Sequence, residues 1–299
     1  MAEKIVLAYS GGLDTSVAVH WLKQEGGYEV IALTVDVGMQ RQREEVQSRA
    51  LTAGATKLIW RDAQETFVRH FVFPVLAAGA LYQGQYPLAT ALSRPLIARE
   101  LAEVARAEGA TAIGHGCTGK GNDQVRLEVS VQALAPELRI VAPVRDWEMD
   151  REAEIAYAQE HSIPVSVTHE SPYSIDENLW GRSIECGVLE DPWREPPEEV
   201  YEWTVAPSEA PDAPAYVEIG FERGLPVSLD GRETDPVSLV RRLNEIAGEQ
   251  GVGRVDMVED RLVGIKSREI YEAPAAVTLL AAHEALEALT LSKDQRRLK

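Results

Sequence analysis

The segment KIVLAYSGGLDTS, residues Lys4–Ser16, constrains the fold of this chain more than any other part of it. Its apolar run Ile5–Ala8 predicts a buried strand, the paired glycines predict a tight turn, and a helix is expected to open near Asp14. Adjacent glycines permit positive φ angles and let a ligand approach the backbone closely. The first turn of a helix offers N–H groups and the positive end of the helix dipole to anions. We therefore predict a phosphate or pyrophosphate site; an ordinary turn capped by Asp14 or Thr15 is the alternative.

The charge balance narrows the class of partner. The 299 residues carry a net charge of −18, and 45% of them are hydrophobic, which is enough for a substantial core. Nucleic-acid binding depends on neutralising phosphates with Lys and Arg, so we predict no nucleic-acid partner. Cys117 and Cys186 have neither metal-site nor disulfide spacing. With no signal peptide before the first strand and no apolar run long enough for a bilayer, we predict a cytoplasmic protein without membrane contact.

The first half of the chain alternates short apolar runs with amphipathic segments. This alternation predicts an α/β fold with a doubly wound parallel sheet, whose ligands bind beyond the carboxyl ends of the strands. The predicted strands are Ile5–Tyr9, Val30–Val35, Lys57–Trp60, Thr111–His115 and Arg139–Pro143. The predicted helices are Thr15–Glu25, Arg43–Thr52, Thr66–Gly79, Arg94–Glu108 and Gln124–Leu134.

The pattern changes after Pro164, and we predict a first domain over residues 1–167 and an α+β second domain over residues 168–299. The polar stretch Thr168–Pro197 shows no helical period. Further along, the sequence predicts a hairpin around Gly224-Leu225, a strand at Arg261–Ile265, and helices at Asp235–Gly248 and Ala275–Leu289.

A second glycine-rich stretch, GHGCTGKGNDQVR, spans Gly114–Arg126. It is nearly a Walker A loop, but Gly121 stands where Ser or Thr should bind Mg²⁺, which argues against a kinase or GTPase. We predict a loop whose backbone approaches a nucleotide and an amino acid. Asn122 and Asp123 can bind a ligand or cap the next helix, and Arg126 can hold a carboxylate or form a surface ion pair.

The SGGLDTS segment resembles the loop of the PP-loop ATP pyrophosphatases, which cleave ATP between its α and β phosphates. Together with QGQYPLATALSRP, HGCTGKGNDQVR, SPYSIDENLW, VLEDPW, APDAP and GVGRVDMVEDRLVGIKSREIYEAP, it resembles the argininosuccinate synthase family from Ile5 to about Leu291. The resemblance implies a synthetase that condenses citrulline with aspartate through a citrulline-adenylate and releases AMP and pyrophosphate. ATP is then the co-substrate, and Mg²⁺ would bridge its phosphates.

The resemblance also implies binding roles at the matching positions. For ATP the implied residues are Ala8, Tyr9, Ser10, Gly11, Gly12, Leu13, Asp14, Thr15, Ser16, Val35 and Gly116. For aspartate they are Thr118, Asn122 and Asp123. For citrulline they are Tyr86, Asn122, Arg126, Ser174, Ser183, Glu259 and Tyr271. Each has a structural alternative: Tyr86 and Tyr271 as core residues, the serines as turn residues, and Glu259 as a solvated hairpin residue.

No residue is assigned as catalytic, because no Ser/His/Asp set occurs and His115, at a strand end, has a structural alternative. Positioning and charge stabilisation are expected to supply catalysis, with Asp14 the best candidate for a carboxylate near the metal. Ala91 stands where the family usually has a citrulline-contacting Ser. Family members also continue beyond Lys299, and the resemblance implies a homotetramer when that tail is present.

Two further hypotheses remain open at the level of sequence. One is a PP-loop enzyme that adenylates tRNA, which the net charge of −18 disfavours. The other is an inactive or regulatory homologue that binds nucleotide without citrulline. The substitution at Ala91 keeps this second hypothesis open.

Overall fold

The computed structural model describes residues 2–40, 42–147, 149, 151–164 and 173–299. The chain divides into two compact units, and each is described by itself. Unit 1 comprises Met1–Ala63, Arg94–Ser171 and Arg261–Ile265. Unit 2 comprises Gln64–Ser93, Pro172–Asp260 and Lys266–Lys299. The predicted domain boundary between residues 167 and 168 lies outside the described residues and stays a prediction.

Strands occur in both units. Their bounds are β1 (Lys4–Ala8), β2 (Glu29–Asp36), β3 (Lys57–Asp62), β4 (Ala112–Gly114), β5 (Arg139–Val141), β6 (Ser174–Asn178), β7 (Gly181–Glu185), β8 (Ile219–Glu222), β9 (Leu225–Leu229), β10 (Arg232–Glu233), β11 (Arg254–Asp260) and β12 (Lys266–Glu272).

Helices separate most of the strands. Their bounds are α1 (Leu13–Gln24), α2 (Arg43–Ala53), α3 (Gln64–Phe67), α4 (Phe73–Ala78), α5 (Ala89–Glu108), α6 (Asp123–Leu134), α7 (Pro143–Asp146), α8 (Arg151–Glu160), α9 (Pro236–Glu249), α10 (Pro274–Thr290) and α11 (Lys293–Leu298). A π-helical stretch, Val68–Val72, joins α3 to α4, and 3-10 turns occupy Gly187–Glu190 and Glu198–Val200.

Unit 1 contains a five-stranded parallel sheet in the order β3-β2-β1-β4-β5. The central strand β1 is buried, and its apolar side chains pack with those of α1 and β2. The α/β class and the parallel sheet are therefore confirmed. The strand order reverses between β1 and β4, and ligands of such sheets bind at this switch point, beyond the carboxyl ends of the strands. The two glycine-rich segments follow these two neighbouring strands.

Unit 2 contains two antiparallel sheets, in the orders β11-β12-β7-β6 and β10-β9-β8. Side chains alternate between the two faces of a strand, so the register decides which residues share a face. One face of the four-stranded sheet contributes Ile184 and Ile270 to a small core with Leu189 and Val200. On the same face Glu272, fully buried, pairs with Arg182 at 2.9 Å.

Some predicted elements are wrong in type or extent. The predicted strand Arg261–Ile265 is the turn between β11 and β12, closed by Gly264 at φ 89°. Glycine tolerates that angle, and the apolar residues that suggested a strand are exposed: Leu262 is 68% exposed. Helix α5 starts at Ala89 instead of Arg94, with Pro95 inside it. The predictions also lacked α8.

In the parts of the chain that the structure describes, no helix combines the length and the apolar character that a membrane crossing requires.

Candidate functional site

The first glycine loop connects the carboxyl end of β1 to α1. Gly11 adopts φ 77°, and Gly12 is the N-cap of α1 without a side-chain hydrogen bond. The alternative in which Asp14 or Thr15 caps this helix is therefore wrong. Ser10 Oγ lies 3.1 Å from Thr15 Oγ1 and accepts the Gly12 N–H at 3.3 Å. The loop thus combines a left-handed glycine, hydroxyls and a helix N-terminus, the elements of an anion site.

Residues predicted to bind ATP form this loop and flank it on both sides. Ala8 ends β1, Tyr9 to Gly12 form the loop, and Leu13 to Ser16 form the first turn of α1. Leu33 pairs with Ala8, which places Val35 at the carboxyl end of the neighbouring strand β2.

The second glycine loop packs directly against the first. A Cβ on Gly116 would lie 3.0 Å from Thr15 Cγ2 and 3.9 Å from Asp14 Cβ. A larger residue there would push the two loops apart. Gly116 therefore lies beside the first turn of α1, as its predicted nucleotide contact requires.

Asp14 has a partner that the sequence did not reveal. Glu154, on α8, is buried and forms a side-chain hydrogen bond with Asp14. Burial, together with the charge of Asp14, raises the pKa of Glu154 to about 9. Glu154 is consequently protonated at neutral pH and shares its proton with Asp14. An amphipathic pattern around Ile155 and Ala158 was the available signal for this helix.

The start of α6 holds a cluster of charged groups. Asp123 accepts from Arg94 at 2.7 Å and from Arg126 at 2.8 Å. Burial alone would raise the pKa of Asp123, but Arg94 and then Arg126 lower it to about 2. The ion pair of Arg126 is only partly exposed, with 25% of the Arg126 side chain accessible. Arg94 was missed because the sequence indicated only the start of a helix at this position.

Asn122 is the N-cap of α6 but makes no side-chain cap bond. Its Oδ1 instead accepts the Leu262 N–H at 2.7 Å, so the helix-cap alternative is wrong for this side chain. Thr118 is exposed in the preceding loop. His115 is 1% exposed, and its Nδ1 accepts the Cys117 N–H at 3.2 Å, so it lies inside unit 1 as a structural residue of the loop.

The predicted citrulline residues of unit 2 share one surface. Ser183 lies opposite both Tyr271 and Asp176, and the register continues across all four strands. Four predicted citrulline residues therefore occupy the same face of this sheet, opposite the small core: Ser174, Ser183, Glu259 and Tyr271. Glu269 joins them there. We name this surface the strand face.

Two carboxylates of the strand face are buried. Glu259 and Glu269 are each 4% exposed, so the interpretation of Glu259 as a solvated hairpin residue is wrong. Tyr271 donates to Glu259 Oε2 at 2.8 Å, and Ser267 donates to Glu269 Oε1 at 2.9 Å. Burial, aided by Tyr86 and both carboxylates, raises the pKa of Tyr271 far above its ordinary value. Tyr271 thus keeps its proton and acts as a donor.

Tyr86 stacks on Tyr271, with ring centroids 3.9 Å apart and planes 10° from parallel. Its hydroxyl lies 2.9 Å from Thr90 Oγ1 and accepts the Thr90 N–H at 2.8 Å. Trp180, which is buried, donates to the Pro87 carbonyl at 2.9 Å and holds the segment beside Tyr86. The structure therefore brings Tyr86 to the strand face.

Ala91 lies in the first turn of α5 and is 7% exposed. Its neighbour Thr90 is hydrogen-bonded to the Tyr86 hydroxyl. This turn therefore carries a hydroxyl group at position 90, although position 91 lacks one. No group of three or more His, Cys, Asp or Glu side chains is arranged to hold a metal ion in the described ranges.

Comparison with known protein families identifies both halves of the chain. Residues 4–164 match the family described as "Arginosuccinate synthase N-terminal HUP domain". Residues 173–299 match "Arginosuccinate synthase C-terminal domain".

Individual proteins are similar along the whole chain. An argininosuccinate synthase from Rubrobacter xylanophilus is 61% identical over 297 residues, which cover 99% of this chain and 72% of that protein. One from Dehalococcoides mccartyi is 56% identical over 299 residues, 100% of this chain and 74% of that protein. One from Listeria monocytogenes is 58% identical over 297 residues, 99% of this chain and 73% of that protein.

Proposed function

The chain belongs to the argininosuccinate synthase family, and we propose that it joins citrulline to aspartate through a citrulline-adenylate formed on the residues described above. The family assignment makes it an ATP-dependent ligase of arginine biosynthesis. The observation that supports the adenylation chemistry best is the packing of Gly116 against Thr15. It places two glycine-rich loops together beyond the carboxyl ends of neighbouring parallel strands, where such sheets bind nucleotides.

For ATP, we assign the β and γ phosphates to the first glycine loop. The N–H groups at the start of α1, together with Ser10 and Thr15, stabilise negative charge there. This charge grows on the departing pyrophosphate when the α–β bond breaks. Arg49, which donates to the Gly11 carbonyl at 3.2 Å, holds the loop in shape.

For citrulline, we assign the strand face of unit 2. A citrulline α-ammonium group needs an anionic acceptor, and the buried carboxylate of Glu259 supplies one. The hydroxyls of Ser174 and Ser183 are suited to the carboxylate of the substrate. Tyr86 and Tyr271 provide an aromatic wall for its aliphatic chain. Asn122 and Arg126 stay predictions for citrulline that rest on the family resemblance alone.

For aspartate, we assign Thr118, Asn122 and Asp123. The hydroxyl and amide groups suit its carboxylates, and Asp123 suits its amine. Because Arg94 and Arg126 keep Asp123 ionised, this acceptor stays available at neutral pH. Its acceptor role needs that charge.

The proposed reaction has two steps. The citrulline ureido oxygen attacks the α-phosphorus and pyrophosphate leaves. The aspartate amine then attacks the ureido carbon, the carbon–oxygen bond breaks, and AMP leaves with that oxygen. No described side chain is assigned as a general base, so positioning and charge stabilisation carry the rate. Asp14, in the first turn of α1, would be the side chain to hold Mg²⁺, and the ion would neutralise charge on the phosphates of ATP.

The adenylate mechanism can be tested by following the ureido oxygen of citrulline. Citrulline labelled with ¹⁸O in its ureido group should transfer the label to AMP, detected by mass spectrometry, and none to pyrophosphate. Omitting aspartate should leave the labelled adenylate bound and stop AMP release. Unlabelled AMP formed in the presence of both amino acids would contradict the adenylate, whereas the absence of argininosuccinate would contradict the ligase itself.

Three properties of the wider protein remain proposals. We propose that it has no nucleic-acid partner, because a net charge of −18 opposes binding of a polyanion. A filter-binding measurement with tRNA at low salt tests this point. We also propose a cytoplasmic location and a homotetramer for chains that carry the family tail, which fractionation and light scattering would check.

A further inference from the structure

Below the second glycine loop, hydrogen bonds link His115 to both the loop and the body of unit 1. His115 Nδ1 accepts the Cys117 N–H at 3.2 Å, so this nitrogen carries no proton. The proton of the neutral ring is then on Nε2, which donates to Glu128 Oε1 at 3.1 Å. Only one of the two neutral tautomers satisfies both contacts.

The chain of hydrogen bonds continues through two more side chains. Arg145 contacts the same Glu128 oxygen through Nη2 at 2.7 Å and donates through Nη1 to Gln124 Oε1 at 2.8 Å. Because Arg only donates, the Gln124 amide must turn its Nε2 away from it. That Nε2 donates to the Gly119 carbonyl at 2.6 Å. We name this set the loop network; it consists of His115, Gln124, Glu128 and Arg145.

The two ends of the loop network meet the backbone on opposite sides of one residue. One end holds the N–H of Cys117 and the other holds the carbonyl of Gly119, and exposed Thr118 lies between them. The stem of Arg145 supports the same place, since a Cβ on Gly119 would lie 3.7 Å from Arg145 Cδ. The backbone of Thr118 is therefore fixed from both sides while its side chain faces outward.

We propose that the loop network is a set of positioning residues that orients Thr118 and thereby sets the affinity for aspartate. This inference rests on the proposed role of Thr118 in the function above. The predicted nucleotide contact of the same loop does not depend on the loop network. Gly116 lies before the stretch from Cys117 to Gly119 that the network holds, and it packs on Thr15 instead. The loop network thus acts on one substrate more than on the others.

The charges around His115 suit this role. Burial lowers the pKa of His115, and Arg145 lowers it further, whereas the charge and hydrogen bond of Glu128 raise it. The net direction is downward, so the ring stays neutral at neutral pH and Nδ1 remains an acceptor. Glu128 and Arg145 are the charged groups that face the ring in this network. Protonation at Nδ1 would replace the acceptor with a second N–H and release Cys117.

Steady-state kinetics of Gln124→Met tests the proposal at the end that holds Gly119. The variant keeps the length of the side chain and removes both of its hydrogen bonds. We expect KM for aspartate to rise about tenfold, which corresponds to the loss of one net hydrogen bond, while KM for ATP and citrulline stays within about twofold. Arg106→Met, which removes an exposed ion pair with Glu137 elsewhere in unit 1, is the matched control and should change none of the three.

The end that holds Cys117 offers a rescue. His115→Leu removes the acceptor and should raise KM for aspartate about tenfold. His115→Asn keeps an oxygen acceptor near the Nδ1 position, so its KM for aspartate should lie within about threefold of the parent value. Because the pKa of His115 lies below the ordinary histidine value of 6.5, KM for aspartate in the parent enzyme should also rise as the pH falls well below 6.5. His115→Asn should lack that rise.

The outcomes separate the proposal from a purely structural role. Equal increases in all three KM values, or a fall in kcat with unchanged KM for aspartate, would overturn it. The thermal unfolding midpoint of each variant shows whether it is folded. If a variant does not fold, Arg145→Lys is a milder substitution in the same network. If Thr118→Val leaves KM for aspartate unchanged while argininosuccinate still forms, the role of Thr118 fails and the ligase function stands.

Discussion

The glycine loops of unit 1 and the strand face of unit 2 both carry predicted binding residues, but they are built from different material. The loops consist mainly of backbone and pack closely, as where Gly116 contacts Thr15. The strand face consists of side chains, with Tyr86 stacked on Tyr271 and the buried Glu259 hydrogen-bonded to Tyr271. A backbone site depends on the absence of side chains. A strand site depends on register, so a residue contributes only if its strand pairs correctly.

The largest expected effect concerns what fixes the register of unit 2. Glu272 accepts from Arg182, from three backbone N–H groups and from Thr204 Oγ1. Glu272→Ala should lower the free energy of unfolding by about 3–5 kcal/mol, because it removes the buried partner of Arg182 and leaves that charge with the exposed carboxylate of Glu202. Urea denaturation measures this, and Glu245→Ala, which breaks an exposed pair with Arg242, is the control. A cost as small as that of the control would show that Glu272 does not hold the strands.

The next effect separates side-chain chemistry from packing on the strand face. Tyr271→Phe keeps the stack with Tyr86 but removes the hydrogen bond to Glu259. We expect a loss of about 1–3 kcal/mol in citrulline binding, since Glu259 loses the hydrogen bond that orients its carboxylate for the citrulline ammonium group, and no change for ATP. Calorimetric titration with citrulline measures the loss. Unchanged citrulline affinity would mean that Tyr271 serves only the core.

On the loop side, acid should act through Asp123. Its pKa of about 2 in the folded chain lies below the ordinary 3.8, so the unfolded chain binds more protons between these values. The stabilisation is complete above pH 3.8 and is lost as the pH falls toward 2. After allowance for partial exposure, it amounts to about 1–2 kcal/mol. Asp123→Asn should flatten this part of the stability curve, measured by denaturant unfolding at pH 2–5; an unchanged slope would contradict the assignment.

The smallest expected effect concerns the first turn of α5, where Ala91 lies beside Thr90. Ala91→Ser would add a hydroxyl beside Thr90, at the position where the family resemblance implies a citrulline-contacting Ser. If citrulline reaches this turn, KM for citrulline should fall about threefold, a fraction of one hydrogen bond. KM for aspartate is the internal control. An increase in KM for citrulline would indicate that Thr90 already fills the role and that the added oxygen crowds it.

By itself the sequence determined the backbone-built half of this protein. Glycine pairs after apolar runs are visible without a structure, because close backbone approach requires glycine wherever it occurs. The alternation of strands and helices likewise predicted the parallel sheet that places both loops at one edge. The family resemblance added the identity of the reaction, and the matches along the whole chain support it.

Only the tertiary structure decided which side chains meet. Nothing in the polar stretch around Ser174 and Ser183 distinguishes a turn from a strand, and it is the pairing with Tyr271 that gives them a common face. The partners Glu154 and Glu272 were equally hidden, since a carboxylate looks the same in sequence whether it is solvated, protonated or ion-paired. Burial and neighbours set its charge, and these depend on residues far apart along the chain.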